Sequence, residues 1–422
     1  MKKIAIITFG TYCDQKLTWI LAKKFLESGV AVNYITNTPN NFFKTPVANL
    51  KISTYDLSKF LDINDKETAN KDINLKAFLD VSKVKLLYYI HTTLRSVLLS
   101  GVKGCDYILI HYPALLVANA LPANLKIKTG VFYVAPAYPN KTIPWIFSKE
   151  IDTFNFKNKR EYRSSTDTLM YMSLINGSLS YLDTFLKKSD VFAMWEKEIL
   201  PLPKTDLKVK QIGSIVDTDP SAYVWNEIPD TISKFLAVRG AKRVYISMGS
   251  FNLGNLVVPI IKALNKNGYV TLYHGKPNEA ISKIKHENFF IHSTFLPHEW
   301  FIPKVDLIVT SGSLCMTAIA NKFGKKFIYV PTLREQLFWA KNYKRNTGQR
   351  YVNGNSTLTS IFKQTERILS SMDKNVKLEN FTKKLEAETA SKDPVKILTC
   401  DILKKIGFRG SRGSIKMSKK SN

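Results

Sequence analysis

The chain begins with a strand–helix–strand pattern, and this pattern constrains the fold more than any other feature. A buried apolar run at residues 3–9 ends at Gly10, and apolar residues then recur at spacings of three and four until Gly29. A second apolar run follows at residues 30–36. Short connections between these elements predict a βαβ unit, in which the strands are parallel and the sheet is covered on both faces.

The same alternation returns in the second half of the chain. Strands predicted at Tyr107–His111 and 129–134 extend the first sheet, and a second series of strands and helices runs from 243 to 330. Between these two series, residues 200–229 are rich in Pro, Asp and Lys, as inter-domain linkers are. We therefore predict an α/β chain of two doubly wound, Rossmann-like domains that face a cleft. The predicted bounds are 1–212 for the first domain, 213–240 for the linker and 241–406 for the second domain.

The charge is strongly positive, with 62 Lys and Arg against 34 Asp and Glu, a formal net charge of +28. Such an excess favours anionic partners, including phosphorylated ligands and the surface of an anionic membrane. Solvated surface lysines in a protein from a Lys-rich organism or virus explain it more simply, and the two explanations are not exclusive. The sequence has no compact arginine-rich helix and no nucleic-acid motif, so nucleic acid is not an expected partner. Residues 407–422 lack acidic residues and are predicted to be a disordered basic tail.

The cysteines and the apolar runs bear on compartment and metal content. Four cysteines lie far apart without CxxC spacing, which argues against a zinc site or a disulfide framework. The apolar run near the N-terminus is too short for a signal peptide, and no uninterrupted stretch is long enough to span a bilayer. The sequence therefore predicts a cytoplasmic protein without a metal, attached to membranes at most at its surface.

Candidate site residues lie at the ends of predicted strands in both domains. Asp14 follows the first strand, where it could act as a general base on an acceptor hydroxyl or cap the helix that starts there. Gly249 and Ser250 end the first strand of the second domain. Small residues there let backbone N–H groups approach a phosphate, although an ordinary tight turn has the same composition.

Three later segments add further candidates. Phe295, Leu296 and His298 follow a short strand, and an aromatic ring there could stack on a base. Residues 311–313 precede a helix, whose positive N-terminus and small flanking residues suit a diphosphate or simply close packing. Glu335 and its neighbour follow another strand and could bind vicinal sugar hydroxyls, or form a solvated helix start.

The order and spacing of these segments resemble the GT-B nucleotide-sugar glycosyltransferases of the sterol-glucosyltransferase and antibiotic-glycosyltransferase type. The resemblance is carried by VYISMGSF at 244–251, FLPHEWFIPKVDLIVTSGS at 295–313 and VPTLREQLFWAKNYKRNTG at 330–348. Upstream, FGTYCDQ at 9–15 falls where the family has Gly-Thr-x-Gly-Asp.

The resemblance implies an inverting, metal-independent hexosyl transfer from a nucleotide sugar, a UDP-sugar by preference, with no cofactor besides this co-substrate. Asp14 would be the catalytic base. Phe295 would lie near the base of the nucleotide, the serine loops and Thr317 would hold the diphosphate, and Glu335 with Gln336 would hold the sugar. The implied donor-binding residues are Gly10, Gly249, Ser250, Phe295, Leu296, His298, Ser311, Gly312, Ser313, Thr317, Glu335 and Gln336.

Three positions depart from the family pattern. Ser311 stands where the family has a His that donates to the diphosphate, Ile319 where an acidic residue binds the ribose, and Glu335 where an Asp is usual. An aromatic loop at 138–147 and the basic surface favour a lipid-like or other small hydroxylated acceptor. Two alternatives stay open. One is an inactive nucleotide-binding relative that acts as a sensor or partner subunit, and the other is a transferase acting on a polysaccharide, a protein or nucleic acid.

Overall fold

In the computed structural model, the described residues are 1–10, 12–37, 47–55, 93–118, 121, 125–136, 138, 180–216, 228–249, 254–332, 334–354 and 356–408. Three sequence predictions fall outside them: Ser250, the loop 138–147 beyond its first residue, and the tail beyond Phe408.

The first half of the chain forms a seven-stranded, wholly parallel sheet in the order β3-β2-β1-β4-β5-β6-β7. Its strands are β1 (Lys3–Thr8), β2 (Ala31–Thr36), β3 (Leu50–Thr54), β4 (Tyr107–His111), β5 (Lys128–Tyr133), β6 (Asp190–Ala193) and β7 (Val209–Gln211). Its helices are α1 (Tyr12–Glu27), α2 (Arg95–Val102), α3 (Leu115–Ala118) and α4 (Ser180–Lys188). We call this sheet and these helices the first lobe.

Both faces of this sheet are buried, which explains why its central strands are apolar at almost every position. Successive side chains of a strand point to opposite faces. Accordingly, Ile4 and Ile6 of β1 pack in one core. Ala5 and Ile7 pack in the core on the other face. The continuous apolar run of β1 is therefore the signature of a central parallel strand.

The second half forms a five-stranded parallel sheet in the order β10-β9-β8-β11-β12, which we call, with its helices, the second lobe. The strands are β8 (Arg243–Ser247), β9 (Val270–His274), β10 (Phe289–His292), β11 (Leu307–Thr310) and β12 (Lys326–Tyr329). The helices are α5 (Asp230–Ala237), α6 (Gly254–Lys266), α7 (Glu279–Ser282), α8 (His298–Phe301), α9 (Leu314–Lys322), α10 (Arg334–Thr347), α11 (Leu358–Met372) and α12 (Val376–Ser391). The prediction of two Rossmann-like, doubly wound α/β units is confirmed.

The strand order fixes where a ligand can bind. In each sheet the chain reverses its direction of winding between two neighbouring strands, β1 and β4 in the first lobe and β8 and β11 in the second. The loops beyond the carboxyl ends of such a pair diverge to opposite faces and leave a crevice, the usual ligand site of open α/β sheets. The residues that follow these four strands are therefore the candidates for ligand binding.

The chain crosses between the lobes twice, and the second crossing lies within the predicted second domain. The last helix, α13 (Pro394–Lys405), packs on α1 of the first lobe, although the predicted bounds of 241–406 count it with the second domain. An amphipathic sequence shows which face of a helix is apolar but not which core receives it. The crossings run side by side, since a methyl group on Gly213 would lie 3.4 Å from Pro394 Cγ.

The predicted linker also contains structure that belongs to the second lobe. Helix α5 lies within 213–240, and its Ile232 and Phe235 are fully buried in the core of the second lobe. Conversely, Phe338 and Trp339 of α10 pack into a core of the first lobe. Apolar packing thus holds the two lobes together. Among the described residues, no helix combines the length and the apolar composition needed to cross a bilayer.

Removal of α13 should unfold the first lobe. Its apolar side chains in the core beside α1 are Leu398, Ile402, Leu403 and Ile406. Burial of one Leu or Ile stabilises a fold by about 1.5–3 kcal/mol, so losing all of them costs on the order of 6–12 kcal/mol. Because that is comparable with the whole stability of a domain, a chain ending at residue 393 should show no cooperative thermal transition for this lobe. A chain ending at 408 is the control, and equal melting curves for the two would contradict the assignment.

Candidate functional site

Asp14 lies at the crevice of the first lobe. It is in the first turn of α1, directly after β1, and its side chain is 29% exposed. Gly10 precedes it with a φ of 139°, and its N–H donates to Asn37 Oδ1 at 3.1 Å. A methyl group on Gly10 would overlap Asp14 Oδ2. The glycine is therefore required both by its backbone conformation and by the closeness of the carboxylate.

His111 lies behind Asp14 and was not predicted from the sequence. It ends β4, is wholly buried, and places Nε2 3.7 Å from Asp14 Oδ1. Burial lowers the pKa of His111 to about 4, although the Asp14 charge opposes this shift. The imidazole is therefore neutral at pH 7 and, being inaccessible, cannot itself meet a substrate.

Replacing Gly10 by Ala should impair Asp14 directly. The added methyl displaces the carboxylate, and a misplacement of about 1 Å can cost up to 100-fold in rate. We expect kcat of the reaction for which Asp14 is the predicted base to fall by about 10- to 100-fold. Gly104→Ala is the matched control, because Gly104 also has a positive φ, 70°, but a methyl there meets nothing within 4 Å. A similar loss of rate in both variants would show that backbone strain alone is responsible.

Glu335 approaches Asp14 from the second lobe. It lies in the first turn of α10, and its Oε2 accepts a hydrogen bond from the Tyr112 hydroxyl at 3.1 Å. Burial, with the negative charge of Asp14 as a smaller cause, raises the pKa of this partly buried carboxyl to about 7, against the hydrogen bond from Tyr112. The charges of both carboxylates in turn contribute to raising the pKa of Tyr112, which burial dominates. Asp14, Tyr112 and Glu335 therefore share one crevice between the lobes.

Gln336, the neighbour of Glu335, points into the second lobe and not toward Tyr112. It is buried, and its Oε1 accepts from both the backbone N–H and the hydroxyl of Thr332, each at 3.0 Å. Its Nε2 donates to Ser311 Oγ at 3.4 Å, and this hydroxyl donates to the Met248 carbonyl at 3.3 Å. These side chains thus tie together the loops after β8, β11 and β12.

The loops after β8 and β11 converge on the tip of α9. A methyl on Gly249, which has a φ of 73°, would lie 4.0 Å from Ser311 Oγ. Gly312 has a φ of 97°, and a methyl there would lie 2.8 Å from the Tyr329 ring, so only glycine fits. Ser313 is the N-cap residue of α9 but its side chain does not cap the helix, and Thr317 Oγ1 donates back to the Ser313 carbonyl at 3.3 Å. Two glycine turns and a helix N-terminus thus meet at the crevice of the second lobe.

Phe295 and its neighbours lie in a loop held by histidines. Phe295 is 47% exposed, whereas Leu296 is buried in the core of the second lobe. His274 Nε2 lies 2.9 Å from the Thr294 carbonyl, and its Nδ1 contacts the Tyr245 hydroxyl, which is also 3.0 Å from His298 Nε2. Burial lowers the pKa of His274 to about 4 and that of His298 well below its ordinary value. A neutral cluster of two histidines and Tyr245 therefore fixes the loop that exposes Phe295.

The fold of the chain, with its two lobes, is similar to that of solved glycosyltransferase structures. A UDP-glucosyltransferase from Polygonum tinctorium capable of glucosylating indoxyl matches with a TM-score of 0.66 and 11% identity, over 97% of this chain and 99% of that one. UGT2 of Phytolacca americana, complexed with UDP-2-fluoro-glucose and pterostilbene, matches with 0.65 and 12%, over 96% and 100%. CalG4, the calicheamicin glycosyltransferase, matches with 0.64 and 14%, over 98% and 100%.

The chain has the GT-B fold. No protein-family model matches its sequence, and no characterised protein sequence matches it either. The resemblance predicted from the three motifs is therefore confirmed at the level of the fold. The roles of individual residues remain predictions.

Within this GT-B fold, two of the departing residues are taken up by packing. Ile319 lies in the core of the second lobe, so it has no route to a ribose. The Ser311 hydroxyl is 1% exposed and engaged between two loops. In the part of the chain that the structure describes, no group of three or more His, Cys, Asp or Glu side chains is arranged to hold a metal. The side chains of Ser311 and Ile319 are therefore not available to a ligand in this crevice.

Sequence reasoning missed His111, which lies beside Asp14, and Tyr112, which donates a hydrogen bond to Glu335. The segment YILIHYP offered one signal, a His and a Tyr at the end of a fully apolar strand. Their relevance depends on β4 lying next to β1, with residues 4–7 of β1 paired to 107–110. That neighbourhood is a property of the sheet order and cannot be read from the local pattern.

Proposed function

We propose that the chain is a glycosyltransferase that moves a hexose from a UDP-sugar to an acceptor hydroxyl with inversion and without a metal. The observation that carries this proposal is the crevice in which Glu335 of the second lobe accepts a hydrogen bond from Tyr112 of the first and lies near enough to Asp14 to feel its charge. The GT-B fold supports it, as do similar structures whose names specify UDP-glucosyl transfer or a UDP-sugar ligand.

In the proposed reaction Asp14 accepts the proton of the acceptor hydroxyl while its oxygen attacks the anomeric carbon. A bond forms between the acceptor oxygen and this carbon, and the bond from the carbon to the diphosphate oxygen breaks on the opposite face. The configuration therefore inverts. Asp14 suits the role because it is partly exposed and follows the central strand. His111 lies behind it, 3.7 Å from Oδ1, and its buried neutral ring does not compete for substrate.

The second lobe would hold the leaving group. Negative charge gathers on the diphosphate as its bond to the sugar breaks, and preorganised N–H groups stabilise that charge. The N-terminus of α9 and the turn at Gly249 would supply such donors without a metal ion. Glu335 would bind sugar hydroxyls, and a carboxyl with a pKa of about 7 can both donate and accept there.

The nucleotide base would stack on Phe295, whose ring is exposed on a loop that is otherwise fixed. We propose a lipid-like or other small hydroxylated acceptor, and a cytoplasmic enzyme whose net charge of +28 favours presentation of that acceptor at an anionic membrane surface.

One alternative has specific support. Ile319 is buried in the core, and the Ser311 hydroxyl is engaged within the protein, so two side chains that would serve the donor are missing from the crevice. An inactive relative that binds a nucleotide as a sensor or partner subunit would have this appearance. It would bind nucleotide without turnover, and its ligand affinity would not depend on Asp14.

Thermal-shift measurements with a panel of nucleotides and nucleotide sugars test the proposal. A ligand that binds only the folded chain at 100 times its dissociation constant stabilises it by about 2.7 kcal/mol. We therefore expect UDP and at least one UDP-sugar to raise the melting temperature by several degrees. Phe295→Ala should reduce this shift while leaving the unliganded melting temperature unchanged, because the side chain is half exposed. If no nucleotide sugar shifts the melting temperature, the proposal fails.

A further inference from the structure

A buried ion pair joins the two lobes beside the proposed active site. Lys16 Nζ of α1 lies 2.5 Å from Glu299 Oε1 of α8, and the two side chains are only 7% and 2% exposed. The partners are 283 residues apart in the chain. Nothing in the reaction proposed above uses either residue.

Each partner is adjacent to a different part of the proposed site. Lys16 follows Asp14 by two residues on α1, so about 200° of helix rotation separates the two side chains. Asp14 can thus face the crevice while Lys16 faces α8. Glu299 directly follows His298 and therefore ends the loop that exposes Phe295. The positive charge of Lys16 also contributes to lowering the pKa of His298, after burial.

Stability alone does not account for this pair. A buried ion pair seldom stabilises a fold more than apolar side chains of the same volume would, because both charges lose their hydration. Apolar contacts already join the lobes through Phe338 and Trp339. Glu299 Oε2 has no hydrogen-bond partner among the described residues, so this carboxylate depends heavily on Lys16. What an ion pair adds is one preferred geometry between α1 and α8.

We propose that Lys16 and Glu299 are positioning residues that hold the first turn of α1, with Asp14, in register with the nucleotide-binding loop. Nucleotide that binds against residues 294–298 then orders the catalytic base through the pair. The inference rests on the proposed function, since it assigns a base to α1 and a nucleotide to this loop. Neither residue touches substrate or reacting atoms.

The test compares the full-length protein with the double variant Lys16→Met/Glu299→Met, which removes both charges and keeps the approximate volumes. We expect its melting temperature to match that of the wild type and its affinity for UDP to change by less than about threefold. The value of kcat should fall at least tenfold, with little change in the donor KM. Hydrogen exchange should show that UDP protects the α1 peptide in the wild type but not in the double variant.

Single variants separate positioning from folding. Lys16→Arg keeps the charge and a donor, so it should retain the wild-type kcat and the UDP-dependent protection of α1. Lys16→Met leaves Glu299 buried without its partner, so it should lower the melting temperature as well. Glu299→Gln keeps the volume, and gives the same two readouts should the double variant not fold.

Two negative results are distinguishable. If UDP protects α1 equally in the wild type and the double variant, and kcat is equal, the pair has no positioning role and the inference is wrong. If no nucleotide of the panel binds the wild-type protein, the proposed function itself is wrong, and the inference goes with it.

Discussion

Asp14→Asn should reduce sugar transfer by about 10²–10⁴-fold, the usual contribution of a positioned general base. The amide has nearly the same shape as the carboxylate but cannot take the proton of an acceptor hydroxyl. Binding of UDP should be unchanged, because the nucleotide would contact the second lobe. The measurement is steady-state transfer or donor hydrolysis with the UDP-sugar that gives the largest thermal shift, combined with a binding titration of UDP.

Asp106→Asn is the control for this variant. Asp106 directly precedes β4 and pairs with Lys2, so it lies at the amino ends of the strands, whereas Asp14 lies beyond the carboxyl end of β1. Its replacement removes one negative charge from the same lobe without touching the crevice, and should leave the rate unchanged. Undiminished turnover in Asp14→Asn would contradict the proposed base. If the wild type and both variants bind UDP but none of them turns over a UDP-sugar, the inactive relative is favoured.

The contribution of His111 to the free energy of unfolding should fall steeply as the pH drops from 6.5 to 4. Burial holds the pKa of His111 at about 4, below the value of about 6.5 in an unfolded chain. The folded state thus favours the neutral ring, and this stability is complete above pH 6.5 and is lost as the pH falls through 4. For His111, which is wholly buried, the loss at pH 4 is about 3 kcal/mol. His274 contributes with the same sign.

Glu335 acts in the opposite direction, because its raised pKa of about 7 makes its protonated form the favoured one in the fold as the pH falls from 7 to 4.5. The contribution of His111 is therefore best isolated by difference. Measured by chemical denaturation, the free energy of unfolding of His111→Gln should be lowered less, or raised more, between pH 7 and pH 4.5 than that of the wild type. His286→Gln is the control, because this histidine is exposed on the surface. An equal pH dependence in all three proteins would contradict the argument.

Elements with a strong local pattern were predictable from the sequence. The first strand and helix follow from a continuous apolar run and then from spacings of three and four. The strand Tyr107–His111 was predicted with the bounds that the structure has, and the strand predicted at 129–134 differs by one residue at each end from Lys128–Tyr133. These runs are buried on both faces of a parallel sheet, so every position along them reports the same environment.

The rest depended on which elements are neighbours. The crossing of α13 to the first lobe, the position of His111 behind Asp14 and the opposite orientations of Glu335 and Gln336 all follow from the tertiary arrangement. Gln336 illustrates the limit well. Next to Glu335 it reads as a second sugar ligand, yet successive residues on a helix point about 100° apart, and its amide lies inside the loops that it joins.

The side-by-side crossings at Gly213 and Pro394 have a mechanical consequence. The first crossing joins the lobes covalently, whereas the second reaches the first lobe only through α13, which is held there by packing. A proteolytic cut in the second crossing would therefore leave the lobes covalently joined. After a cut in the first, the apolar contacts of α13, Phe338 and Trp339 would have to keep the two fragments together.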